Sequence, residues 1–169
     1  MAGPVARMEA CIPALRRYAI ALLRDRQEAD DLVHECLVRA LDRLQTLRND
    51  VEVRPWLFAI LHNLHVSRVR RRQARGQPLS IDTVAEQALA APPRQEEHLR
   101  AQDVMRAVER LPEDHRAVLL LVTVEDLSYA EAARVLGVPV GTVMSRLARA
   151  RERLRRDTEG GSSAEKRVR

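Results

Sequence analysis

The sequence predicts an all-α protein: two small helical domains joined by a flexible linker. Three observations carry that expectation. Hydrophobic residues make up 46% of the 169-residue chain but aromatic residues only 2%, so a core must be assembled from Leu, Val, Ile and Ala, a set that favours helices over sheets. Apolar positions recur at helical spacing along most of the chain, and no segment alternates convincingly with a period of two. The stretch 76–98 holds Gly76, Pro78, Pro92 and Pro93 among small and polar residues. It interrupts the helical pattern and reads as the linker.

Taken in order, residues 8–24 and 27–46 read as amphipathic helices with Asp25 in the connection. The second places Leu32, Val33, Cys36, Leu37, Ala40, Leu41 and Leu44 on one side, as a helical stripe requires. Residues 47–53 read as a loop. Pro55 suits a first helical turn, where its missing N–H is no loss. The helix it opens is expected to run from Trp56 to about Arg72 and to be broken by Gly76 and Pro78. Within the linker a short helix is expected around Asp82–Leu89. Beyond it, 99–110 and 113–125 read as helices meeting at Pro112, followed by two more at 128–136 and 140–156. The segment Glu159 to Arg169 carries Gly160, Gly161, Ser162 and Ser163 and is expected to be a disordered tail. A domain of about 60 residues buries only about 60% of its unfolded surface, so each half is expected to be marginally stable alone and to gain from a partner.

The net charge is +5, and its layout says more than its sum. Residues 1–50 balance eight Arg against eight acids. No acid occurs from Val53 to Ile81, where Arg54, Arg68, Arg70, Arg71, Arg72 and Arg75 gather. From Arg134 to Arg156 seven Arg face the single acid Glu152, whereas residues 82–103 hold five acids against two Arg. Two basic islands separated by an acidic stretch read as two contact points on one polyanion. Cys11 and Cys36 lie apart on apolar helical faces and read as buried thiols. There is no apolar run of about 18 residues and no signal-peptide pattern at Met1–Arg7, so no membrane insertion and a cytoplasmic location are expected.

The segment Leu127 to Val143 has the most specific local grammar. Ser128, followed three residues later by Glu131, makes a capping box. Ala132 and Ala133 are small where a second helix must cross closely. Gly137 supplies a left-handed residue for a turn, and Pro139 stops the first helix from continuing. These are the features of a helix-turn-helix, whose second helix enters the DNA major groove. Along that second helix Val143, Leu147, Ala150 and Leu154 form a narrow inward stripe. The opposite face carries Gly141, Met144, Ser145, Ala148, Arg149, Glu152 and Arg156. Small residues there let the backbone approach a groove floor, and Ser145 and Arg149 can reach base edges. Thr142, Arg146 and Arg153 flank this face and suit phosphates.

On the helix at 27–46 an acidic stripe of Glu28, Asp31, Glu35 and Asp42 stands opposite the apolar face, with Val38 exposed inside it. In a DNA binder such a face suits a protein partner. Trp56 and Phe58 stand near the start of a helix that ends in the basic track Arg68–Arg75. An aromatic beside such a track offers unpaired bases a stacking surface and a neutralised backbone. Phe58 reads as core; Trp56 fits either role. The run Ala29-Asp-Asp-Leu-Val-His-Glu35, followed by Arg54-Pro-Trp-Leu-Phe-Ala-Ile-Leu-His-Asn63 and Arg68–Arg72, resembles domain 2 of the extracytoplasmic-function (ECF) sigma factors. Leu111-Pro-Glu-Asp-His-Arg116 and Gly141-Thr-Val-Met-Ser-Arg-Leu-Ala-Arg-Ala-Arg151 resemble their domain 4. The resemblance covers about residues 10–75 and 100–156, in family order and at family spacing.

That resemblance implies an alternative sigma factor, not an enzyme, that directs bacterial core RNA polymerase to promoters. It implies a domain 2 at 8–75, a linker at 76–98, a domain 4 at 99–158 and a tail at 159–169. Asp31, His34 and Glu35, with Val38 beside them, fall where the family grips the clamp helices of the polymerase β′ subunit; the β flap is a further implied partner. Leu47, Arg48 and Asn49, in the loop before Val53, and Asn63 fall where the family captures a flipped base of the −10 element. Trp56 lies beside them, and Arg68, Arg71 and Arg72 would hold the adjoining backbone. Met144, Ser145, Ala148 and Arg149 align with the readers of the −35 element, with Thr142, Arg146 and Arg153 as supporting contacts. Two positions depart from the pattern. His34 stands where the family usually has Gln, and Met144 where a basic or polar residue is common, so base readout there is expected to be weaker or apolar. An anti-sigma factor acting in a stress response is the implied regulator, and no cofactor or metal is implied. Two other readings stay open from the residues alone. One is a self-sufficient helix-turn-helix regulator that binds without polymerase. The other is a metal-dependent protein using His62 and His65, or His34 and Cys36, although no nearby cluster completes the ligand set.

Overall fold

A computed structural model describes residues 3–46, 52–76 and 95–165, apart from the side chains of 46, 95–99 and 160–165. In these residues every regular element is helical: α1 (Pro4–Leu23), α2 (Arg26–Arg43), a 3-10 turn (Leu44–Thr46), α3 (Val53–Ala74), α4 (Gln95–Glu109), α5 (Glu113–Leu119), a π-helical turn (Leu120–Val124), α6 (Tyr129–Leu136) and α7 (Val140–Glu165). The helix expected at Asp82–Leu89 and the linker residues 77–94 lie outside the described residues. Among the described residues no helix is long and apolar enough to cross a membrane.

Local chemistry sets most boundaries. Arg24, with φ 57, turns the chain out of α1. The Asp25 carboxylate then caps α2 by accepting the Glu28 backbone N–H at 2.9 Å. Pro55 sits in the first turn of α3, which begins at Val53 rather than Trp56 and runs to Ala74. Gly76, with φ +65, takes the left-handed conformation just past its end.

Two expectations are corrected. The helix read at 113–125 is not continuous: α5 ends at Leu119, and the backbone widens into a π turn closed by Glu125 N–H to the Leu120 carbonyl at 3.0 Å. The Thr123 hydroxyl donates to the Leu119 carbonyl at 2.5 Å, holding the wide turn from within. The tail read as disordered from Glu159 is instead helical as far as Glu165. Ion pairs of Arg155 with Glu152 and Glu159, at 3.1 and 2.8 Å, and a Thr158 hydroxyl bond to the Leu154 carbonyl at 2.9 Å extend the register. Spaced at i,i+3 and i,i+4, such pairs support a helix that composition alone does not suggest.

α1, α2 and α3 pack together around Leu15, Leu32, Leu57 and Leu61, with the Tyr18 and Phe58 rings edge to face at 5.4 Å. α5, α6 and α7 pack around Val118, Leu121, Val135, Val143 and Leu147, and α4 lies along α7. These are the two small helical units expected. Their cores are continuous, because α6 lies against α3 and α1 meets α5. Each half therefore supplies the burial that the other lacks.

Polar contacts sew the same seam. Glu125, only 1% exposed, accepts both arms of Arg17 from α1 at 2.9 and 2.7 Å. Arg54 of α3 reaches the same carboxylate at 3.0 Å and the Glu125 backbone carbonyl at 2.9 Å. The Arg24 guanidinium donates to the Glu109 carbonyl, which also accepts from Arg116 at 3.3 Å. Buried His65 of α3 meets the Glu113 carboxylate at the start of α5, and this hydrogen bond holds the Glu113 carboxyl below the usual carboxylate range. Beside it, the Tyr18 hydroxyl and His62 Nδ1 share a hydrogen bond at 3.2 Å, and burial pushes His62 down to about 4.

Candidate functional site

The helix-turn-helix forms as its residues dictate. Ser128 Oγ accepts the Glu131 backbone N–H at 3.2 Å, and the Glu131 carboxylate accepts the Ser128 N–H at 2.7 Å, so both halves of the capping box are made. Gly137 closes α6 at φ 66, and Val138 N–H returns to the Ala133 carbonyl at 3.1 Å. A Cβ on Gly137 would meet nothing within 4 Å, so only backbone conformation is at stake. Gly137→Ala is accordingly expected to destabilise the fold by about 1–2 kcal/mol, read as a small drop in melting temperature with the wild-type helical spectrum retained.

On α7, Val143, Leu147 and Ala150 are buried and Leu154 half-buried, while Met144, Ser145, Ala148, Arg149 and Arg153 are exposed. The inward stripe is thus packed and the outward face is open, as the reading requires. Ser145 Oγ donates to the Thr142 carbonyl at 3.1 Å, and Thr142 itself is half-buried. Arg146 is the exception in this group: it pairs with Asp114 of α5 at 3.3 Å, toward its own domain.

The first unit brings a second group together. Asp31 and His34 are exposed on α2, and Val38 is 45% exposed beside them. Leu41, expected in the core, is instead 49% exposed. It stands one turn from Val38 and enlarges an apolar spot on the acidic face. Glu35 is only half-exposed, because its carboxylate accepts from Arg39 at 2.9 Å and from Arg68 of α3 at 2.8 Å. The Arg68 hydrogen bond holds that carboxyl below its usual range. Further along this seam, two turns back on α2 and one turn on along α3, Arg72 pairs with Glu28 at 2.7 Å.

So two arginines expected on the DNA backbone are bound to acids of α2 in the chain alone. Glu28 as a partner was not evident from sequence; its spacing of seven from Glu35 is the only signal. Arg71 is exposed, with Nε toward the Ser67 carbonyl at 3.4 Å, and Asn63 is exposed. Trp56 is half-buried against the core, and Phe58 is wholly buried. Leu47, Arg48 and Asn49 lie outside the described residues.

The remaining candidates resolve simply. Cys11 and Cys36 are free and buried, and burial pushes the Cys36 thiol up to about 12. Among the described residues no group of three or more His, Cys, Asp or Glu is placed to hold a metal. His62 and His65 are engaged with Tyr18 and Glu113 instead.

Comparison with known proteins agrees with this architecture. Residues 8–62 match the family model described as the Sigma2 domain of PhyR, and residues 101–154 match Sigma-70, region 4. The chain is 39% identical over 145 residues to the ECF RNA polymerase sigma factor EcfG of Rhodopseudomonas palustris, covering 86% of this chain and 79% of that one. It is 36% identical over 144 residues to the ECF RNA polymerase sigma factor SigM of Mycobacterium tuberculosis, covering 84% and 70% respectively. Its fold superposes on the sigma factor RpoE of Bartonella quintana, solved in complex with the anti-sigma factor NepR, with a TM-score of 0.73 and 32% identity over 90% of this chain and 94% of that one. CnrH, solved with the cytosolic domain of CnrY, gives a TM-score of 0.62 at 25% identity, covering 90% and 86%. With both sigma units present in order and the relatives covered over most of their length, the chain belongs to the ECF RNA polymerase sigma factors.

Proposed function

We propose that this sigma factor docks on core RNA polymerase through the exposed face of α2, sets α7 in the major groove of the −35 element, and captures unpaired −10 bases beside α3. In this reading 8–75 and 99–158 are the working parts and 76–98 spans between them. Asp31, His34, Glu35 and Val38 meet the β′ clamp helices, and Leu41 joins them as an apolar contact. Leu47, Arg48, Asn49, Trp56 and Asn63 receive the flipped base, and Arg68, Arg71 and Arg72 hold its backbone. Thr142, Met144, Ser145, Ala148, Arg149 and Arg153 face the −35 duplex, joined by Arg146 once it leaves Asp114. The observation that carries the reading is the open outward face of α7, presented on a fully capped helix-turn-helix whose opposite stripe is packed. No bond is made or broken by the chain. Melted bases are favoured because only the open duplex gains contacts with domain 2. Purified chain and core polymerase are expected to initiate from a subset of genomic promoters where core alone does not. Absence of any specific start sites would reject the reading.

The ion pairs between α2 and α3 bear on how the free chain meets single-stranded DNA. Arg68 and Arg72 must leave Glu35 and Glu28 before they can neutralise phosphates, so the chain alone is a poor binder of single strands. Glu28→Gln with Glu35→Gln is expected to strengthen binding of the free chain to a −10 single strand several-fold. Two more phosphate contacts would steepen the salt dependence by a slope of about 1.4. Fluorescence anisotropy across a salt series reads both effects.

Regulation by an anti-sigma partner is part of the proposal. The solved relatives with NepR and with the CnrY domain support it. Such a partner should suppress transcription in the assay above and should compete with core polymerase for the α2 face.

A further inference from the structure

Val140, the first residue of α7, and Met144 stand one turn apart at the open end of the helix and are 42% and 53% exposed. Ala148, also exposed, continues the line by another turn. The inward positions are taken by Val143, Leu147 and Ala150, so this apolar line is not part of the core. Single exposed apolar side chains are ordinary on protein surfaces. Here two lie in register at the start of the second helix of a helix-turn-helix, the end that meets base edges. Ser145 and Arg149, exposed on the flank next to Met144, and Arg153 one turn beyond Arg149 add polar and basic groups to the solvent side of α7, in a segment where seven Arg face one acid between residues 134 and 156. That charge selects a polyanion as occupant over a second protein surface.

Within the major groove the apolar feature is the C5-methyl group of thymine. A rise of about 1.5 Å per residue separates Val140 and Met144 by about 6 Å along the helix axis. Base pairs repeat about every 3.4 Å, so the two side chains span about two base-pair steps. We infer that Val140 and Met144 are specificity determinants that read thymine methyl groups about two steps apart in the −35 element. Arg149 and Ser145 supply the hydrogen-bonding part of the readout beside them. The inference rests on the assignment of α7 as the −35 reader and adds which chemical feature of the base pair it takes.

The test uses the full chain with core polymerase and a promoter duplex selected by that holoenzyme from a randomised pool. Each −35 thymine is replaced in turn by deoxyuridine, which removes only the methyl group. Wild-type holoenzyme is expected to bind about fourfold more weakly at each of two positions, the worth of one buried methyl group. Met144→Ala should erase the penalty at one position and Val140→Ala at the other. Both side chains are exposed, so thermal melting of each variant should match wild type. A silent deoxyuridine scan in the wild type would overturn the inference, as would penalties that persist undiminished in both variants. If the holoenzyme selects no promoter at all, the promoter-reading function fails first and takes the inference with it.

Discussion

An Arg17→Ala/Arg54→Ala variant is expected to melt roughly 5–10 °C below wild type, with the first loss of protection in α6. The cause is a stranded charge. Glu125 is 1% exposed and both guanidinium groups reach its carboxylate. Removing the partners of a buried ion typically costs about 3–5 kcal/mol, because the ion left behind has neither water nor counter-charge. Arg17 and Arg54 are themselves 53% and 41% exposed, so solvent screens part of each pair and a value of about 2–3 kcal/mol is appropriate. For a chain of this size each kcal/mol moves the melting point by about 2–4 °C. Adding Glu125→Leu to the double variant should recover most of the loss, since a well-packed apolar group replaces a buried ion pair at little or no net cost. If the triple variant melts no higher than the double, the stranded charge is not the cause. Because the three residues join α1 and α3 to the segment before α6, hydrogen exchange should find α6 and α7 opening from α1–α3 more often than in wild type.

Arg149→Ala is the substitution expected to damage function most. Its guanidinium is exposed on the face of α7 proposed to read the −35 element, so its loss leaves the packing alone. A bidentate contact to a base is worth about 1–3 kcal/mol of discrimination, which corresponds to a fall of roughly 5- to 150-fold in initiation from the preferred promoter. Preference at one −35 position should relax at the same time. Arg153→Ala provides the contrast: it should weaken binding evenly across sequences and reduce the salt slope by about one. Run-off transcription on a set of single-base promoter variants distinguishes the two patterns. An equal loss on every variant with Arg149→Ala would assign that residue to the backbone instead.

The parts of this molecule that were legible in its sequence are those fixed by neighbours in the chain. The capping box at Ser128 and Glu131, the turn at Gly137 and the inward stripe of α7 each depend on a few adjacent residues, and each formed as read. Leu41 was misplaced because helical spacing cannot say how far around a helix the core extends. The flanks of α2 are covered only as far as α1 and α3 reach, and Leu41 falls beyond them. The charge layout gave two basic islands but not their internal pairing. Arg68 and Arg72 find Glu35 and Glu28 across 33 and 44 residues. Arg17 finds Glu125 across 108. No local pattern encodes such pairs, since one exposed Arg looks like another until tertiary packing chooses its acid. The union of the two cores was illegible for the same reason, although the small size of each half signalled that something had to complete it.

The π turn at Leu120–Val124 acts as a phase setting between two halves of domain 4. One surplus residue in a turn advances everything after it by about 100° around the axis relative to a plain helix. The π turn ends at Glu125, which faces Arg17 and Arg54, and Asp126, with φ 54, then redirects the chain toward α6. The pairing of Glu125 with Arg17 and Arg54 is therefore expected to depend on the number of residues in this turn more than on their identity. Conservative exchanges among its aliphatic side chains are expected to leave that pairing intact, whereas loss or gain of one residue is expected to swing Glu125 away from both guanidinium groups.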